Sequence, residues 1–167
     1  MMGRMPEPWL RGPIAGVSPL LSPLLFSFQQ AREDLAKHTE GLSDERIWSG
    51  GGASIGFHLR HIAGSTERLT QYLQGRQLTA EQLESLKAEN ANSGPGRDAL
   101  LAEIDRVFCD SEAVVRGIDP ATLSEVRTVG RLGLPTTVIG LLTHIAEHTQ
   151  RHVGQVITMA RSQRAPG

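Results

Sequence analysis

Five of the six histidines of this 167-residue chain fall in two short windows: His58 and His61 in SIGFHLRHIAG, and His144, His148 and His152 in LLTHIAEHTQRHVGQ. Residues four apart on an α-helix lie one turn above each other, so the second window makes a ladder of three imidazoles with Gln155 beside it. Two imidazoles at that spacing bind one divalent ion through their ring nitrogens, as in the HExxH helices of zinc enzymes. Here the segment 148–152 reads HTQRH and lacks the glutamate of those helices. It is not a metalloprotease helix, and a general base must come from elsewhere or be a metal-bound hydroxide. A third ligand from another helix would complete a centre with open positions, the mark of a catalytic rather than a structural site. His58 and His61 are the residues on offer. HxxxH pairs also occur on plain solvent faces, and a buried histidine is commonly just hydrogen-bonded. Two features argue for more: His148 and His152 interrupt a stripe otherwise filled by Leu, Ile and Val, and the other histidine pair lies on a second amphipathic segment, so several imidazoles would be buried at a cost without a common partner.

The segments that must position these rings read as helices. Ser18 and Pro19 open a first helix whose apolar residues Leu21, Leu24, Leu25, Phe28, Ala31 and Leu35 recur at helical spacing until Gly41. After a glycine-rich break at 49–53, Ser54 caps a second helix with Ile55, Leu59, Ile62, Thr66, Leu69 and Leu73 on one stripe. Thr79 with Gln82 fits a capping box, which predicts a short helix over 80–89 inside the connection. A third long helix spans 98–116, and the stretch 123–134 is either a small hairpin or an ordered loop. Pro135 with Thr136 or Thr137 opens the last helix, whose stripe is expected to run through Val138, Leu141, Ile145, His148, His152, Val156 and Met159. The expected fold is all-α, an antiparallel four-helix bundle with a short extra helix in the long crossover connection, its site built from facing helices. Residues 1–18 read as an N-terminal arm, 19–162 as the bundle domain and 163–167 as a C-terminal tail.

Composition narrows the function classes. Aromatic residues are only 4% of the chain, too few for a base-stacking surface or an aromatic sugar cleft. Net charge is −1, so no global field draws the protein to nucleic acid or anionic lipid. The basic last third spreads Arg127, Arg131, Arg151, Arg161 and Arg164 too thinly for a nucleic-acid site. The apolar stretch 14–28 is broken by Pro19 and Pro23, and no run reaches membrane-spanning length. A lone Cys109 fits a reducing, cytoplasmic setting.

The segments SIGFHLRHIAGSTERL at 54–69 and GLPTTVIGLLTHIAEHTQRHVGQVITMAR at 133–161 together resemble the DinB-like (YfiT-like) metal-binding four-helix bundles, over about Trp9 to Arg161. Carried over position by position, the resemblance implies His61, His148 and His152 as ligands of a divalent ion, zinc or nickel. Periodicity alone puts His58 nearer the centre of its helix's apolar stripe than His61, so wheel and resemblance differ over the first ligand. His58, His144 and Gln155 then become candidates for lining the pocket or orienting a ligand.

The resemblance further implies a small-molecule substrate, a low-molecular-weight thiol such as bacillithiol or mycothiol as cosubstrate, and a homodimer. The first expectation is a thiol S-transferase in which the metal favours the thiolate, with Arg60, Arg68 and Arg151 as candidates to grip an anionic cosubstrate. The alternatives are metal-assisted hydrolysis by a metal-bound hydroxide and a non-enzymatic, metal-stabilised bundle.

Overall fold

The computed structural model describes residues 5–50 and 53–164. Of the expected glycine-rich break, residues 51 and 52 lie outside the described residues, as do 1–4 of the arm and 165–167 of the tail. The elements are α1 (Ser22–Thr39), α2 (Asp44–Trp48), α3 (Ile55–Leu73), α4 (Ala80–Ala88), α5 (Arg97–Arg116), the strands β1 (Val126–Val129) and β2 (Leu134–Thr137), and α6 (Val138–Arg164).

The four long helices α1, α3, α5 and α6 form the bundle. Each of α1 and α3 packs on both α5 and α6. Side-chain pairings give the directions. Along α1 and α6, Ser27 meets Gln150 while Glu40 meets Arg164, so these helices run the same way. Arg32 of α1 reaches Glu112 of α5 and the carbonyl of Ala36 receives Arg97, so α1 and α5 are antiparallel. The crossover through α4 carries α5 parallel to α3, with Thr70 against Ser111 at one end and Leu59 sharing a cleft with Leu100 at the other. The bundle and its extra crossover helix therefore stand as expected, and the crossover confines antiparallel neighbours to the α1–α5 and α3–α6 pairs.

Local chemistry explains most boundaries. Ser54 caps α3 by accepting from the Phe57 amide, and Thr79 and Gln82 close both halves of the capping box of α4. The first helix starts at Ser22 rather than Pro19. Proline has no amide hydrogen and its ring clashes with a preceding turn, so Pro23 is accommodated in the first turn and not one turn further in. Residues 123–134 resolve as part of a hairpin, and β2 takes Pro135 to Thr137 away from the last helix, pairing Arg127 with Thr136. Gly130 and Gly133 turn the chain with φ of +72° and +59°, a region other residues rarely enter. Thr137 then accepts from the Gly140 amide at 3.1 Å and starts α6.

The core holds Leu24, Phe28 and Leu35 of α1, Leu59 and Ile62 of α3, Ile104 and Phe108 of α5, and Ile145, Val153 and Val156 of α6. The α6 stripe differs from expectation. It continues from Ile145 through Thr149 and Val153, leaving His148 and His152 half-buried on the adjoining face. No helix among the described residues is long and apolar enough to cross a membrane.

Candidate metal centre

Where α3 and α6 approach each other near the start of α3, the imidazoles of His61, His148 and His152 converge. One ring nitrogen from each lies within 4.8 Å of those of the other two. The His61 ring centroid is 5.2 Å from that of His148 and 4.5 Å from that of His152, while His148 and His152 are 4.6 Å apart. Spacing four along α6 supplies two rings on one face, and the antiparallel crossing of α3 supplies the third.

His58 is more buried than His61, as its place in the stripe requires, yet it lies behind the cluster. Its Nδ1 is 2.8 Å from Nδ1 of His152, one ring donating to the other, which leaves Nε2 of His152 for a ligand role. His144 stands one turn before His148, exposed, with its Nδ1 2.8 Å from Oε1 of Glu147. Gln155 is exposed on α6.

The donor set suits a divalent ion. Burial, followed by the neighbouring charges of His61, His148 and His58, holds His152 down to about 4. Burial likewise lowers His58 and His148, with His61 adding to both. These rings are therefore neutral near pH 7, the form that ligates metal. Three imidazoles brought this close would repel one another if protonated, and a shared cation removes that conflict.

The arginines considered for an anionic cosubstrate are engaged elsewhere. Arg60 lies over the Trp48 ring at 4.5 Å and donates to the carbonyls of Ala88, Glu89, Ala91 and Ser93. Arg68 is buried against Glu89. Arg151 pairs with Glu147 at 2.6 Å on the exposed face of α6. The residue sequence reasoning missed is Glu89, 4% exposed, whose Oε2 lies 2.8 Å from Nδ1 of His61. A cleft of about 440 Å³ between α3, α4 and α5 also touches Glu89, but none of the three clustered histidines lines it.

A helical bundle with three histidines from two facing helices defines a class of metal-centre proteins. A family model for the DinB superfamily matches residues 27–156, and the chain belongs to that superfamily. No curated protein sequence matches it. Among solved structures, YfiT from Bacillus subtilis, described as a probable metal-dependent hydrolase with an unusual four-helix bundle topology, superposes with a TM-score of 0.65. The two share 15% identity, over 91% of this chain and 93% of that one, which is a likeness of fold.

Proposed function

We propose that this protein is a divalent-metal-dependent enzyme, with zinc or nickel held by His61, His148 and His152, acting on a small molecule by transfer to a low-molecular-weight thiol. The observation that carries this reading is the convergence of three imidazoles within 4.8 Å with the cluster partly open to solvent, the His61 side chain being 20% exposed. A divalent ion bound there supplies positive charge that favours the conjugate base of whatever occupies its open positions, thiol or water. Neutral imidazole ligands leave that charge undiminished. His58 fixes the ring of His152, so that Nε2 points away from the hydrogen bond. Glu147 is tied to His144 and Arg151, which leaves no free carboxylate on this stretch of α6 to act as a base toward water. A thiol, with an ordinary pKa of about 8.5, has the smaller need of one.

The second reading is hydrolysis, favoured by the description of YfiT as a probable metal-dependent hydrolase. Metal content of the untagged protein tests the centre. Wild type is expected to hold about one ion per chain, and His61→Ala, His148→Ala and His152→Ala markedly less. Stoichiometric metal in all the variants would overturn the ligand set. Thiols offered with electrophiles such as chlorodinitrobenzene, beside a panel of esters and amides, then separate the reactions. Thiol-dependent turnover lost on chelation supports transfer, and turnover of the esters or amides alone supports hydrolysis.

A further inference from the structure

The crossover helix delivers a buried carboxylate into the histidine cluster. Glu89 follows the last turn of α4, and its carboxylate is shared between Nδ1 of His61 at 2.8 Å and the guanidinium of Arg68. Both charged groups are buried, Glu89 at 4% and Arg68 at 7% exposure. Removing either charge alone would leave the other buried without its partner, which is costly.

Three further features hold the carboxylate in place. Arg60 binds the carbonyls of Ala88, Glu89, Ala91 and Ser93 and so fixes the backbone at the end of α4. Gly64 opens the path across α3, because a Cβ there would lie 2.1 Å from Oε1 of Glu89. The guanidinium of Arg68 donates to Oε1 while the His61 ring faces Oε2, so both carboxylate oxygens are engaged. The acceptor facing Nδ1 of His61 is a carboxylate paired with a guanidinium, and it selects the tautomer with the proton on Nδ1 and the lone pair on Nε2.

We infer that Glu89 is a positioning residue for the metal centre: it orients His61 and leaves its Nε2 lone pair free, with Arg68 as the counter-charge and Gly64 as the gap through which it reaches. This rests on the metal reading above. Neither histidine that α6 brings to the cluster has an equivalent: among the described residues His148 has no carboxylate partner and His152 leans on His58, while the carboxylate of Glu147 faces the exposed His144. The crossover thus contributes to the centre without supplying a ligand.

The test measures zinc affinity by competition with a chromophoric chelator near neutral pH, beside thermal unfolding of the metal-free protein. Four variants are compared with wild type: Glu89→Gln, Gly64→Ala, the pair Glu89→Met with Arg68→Met, and Glu84→Gln. The paired variant replaces both charges by side chains of similar shape, an exchange that is often neutral for stability. Gly64→Ala keeps both charges and displaces the carboxylate. Both are expected to weaken zinc binding about 10–100-fold, Glu89→Gln less, and the exposed Glu84→Gln not at all. Long-range proton–nitrogen spectra of the metal-free protein give a readout that a merely structural role would not move. His61 should carry its proton on Nδ1 in wild type and lose that preference in the paired variant. Wild-type zinc affinity in folded Gly64→Ala and the paired variant would overturn the inference while leaving the centre intact. If the paired variant does not fold, Glu89→Gln and Gly64→Ala decide on the same readout. A wild type that binds no metal overturns the metal reading and this inference together.

Discussion

Two seams of the bundle use their interior in opposite ways. Between α1 and α5, Phe28 and Phe108 stack with centroids 4.1 Å apart, both fully buried, and Arg32 closes the seam from outside by reaching Asp105 and Glu112. Between α3 and α6, imidazole faces imidazole. Nδ1 of His58 is 2.8 Å from Nδ1 of His152, His61 and His148 stand beside them, and a buried ion pair of Glu89 with Arg68 lies behind His61. The first arrangement removes apolar area from water and leaves its charges wet, which is how cores are stabilised. The second desolvates polar rings and depresses the pKa of three of them. Apolar contact stabilises one seam, and the other keeps polar groups ready for a cation.

The largest expected effect breaks the aromatic seam alone. Phe108→Ala deletes a fully buried ring from a stacked pair and should lower stability by about 3–5 kcal/mol. Denaturant unfolding reads the loss, and zinc affinity of the folded fraction should stay at the wild-type value. A parallel fall in affinity would show that the two seams are not independent.

Sequence and structure agree most where local spacing carries the information. The long helices, the capping box of α4 and the placing of His148 and His152 on one face all follow from patterns within a few residues. The convergence of His61 with that pair is a tertiary fact, set by how α3 crosses α6, and periodicity alone favoured His58. The α6 stripe was harder to read because Thr149 fills a buried position at 1% exposure, and a threonine does not announce a core site. The five-residue α2 is too short to show a period, and the four-residue strands alternate too weakly to be separated from a loop. Glu89 was invisible for a different reason. It is one acid among many in an acidic stretch, far along the chain from His61, and only the return of the crossover brings them together.

A smaller effect sharpens the contrast through pH. Folding holds His152 at about 4 against an ordinary 6.5, so as pH falls the unfolded chain takes up the proton first. Stability of the metal-free protein should therefore be full above about pH 6.5 and decline steadily toward pH 4. His58 and His148, lowered in the same direction, steepen the same window. Glu89 acts lower, since a carboxyl held below 4.5 contributes stability that is lost only as pH falls beneath that value. Denaturant midpoints from about pH 7 to about pH 4.5 check this in wild type and His152→Gln. The variant should show the shallower slope, and equal slopes would mean that the imidazole seam carries no proton-linked cost.

The smallest effect belongs to the charges outside the aromatic seam. Arg32 bridges Asp105 at 2.6 Å and Glu112 at 2.5 Å, with Asp105 61% exposed and Glu112 23% exposed. Its guanidinium also sits 5.3 Å from the Phe108 centroid. Ion pairs in contact with water contribute about 0–1 kcal/mol, and salt weakens them further. Arg32→Met keeps a stem over the ring and removes only the charge, so it should cost about 1 kcal/mol at low salt and less near ~1 M salt. Arg32→Ala should cost more at both salt levels, because the stem's cover over Phe108 goes with the charge. A salt-dependent loss much above 1 kcal/mol for Arg32→Met would show that charge, and not the stacked rings beneath it, holds α1 to α5.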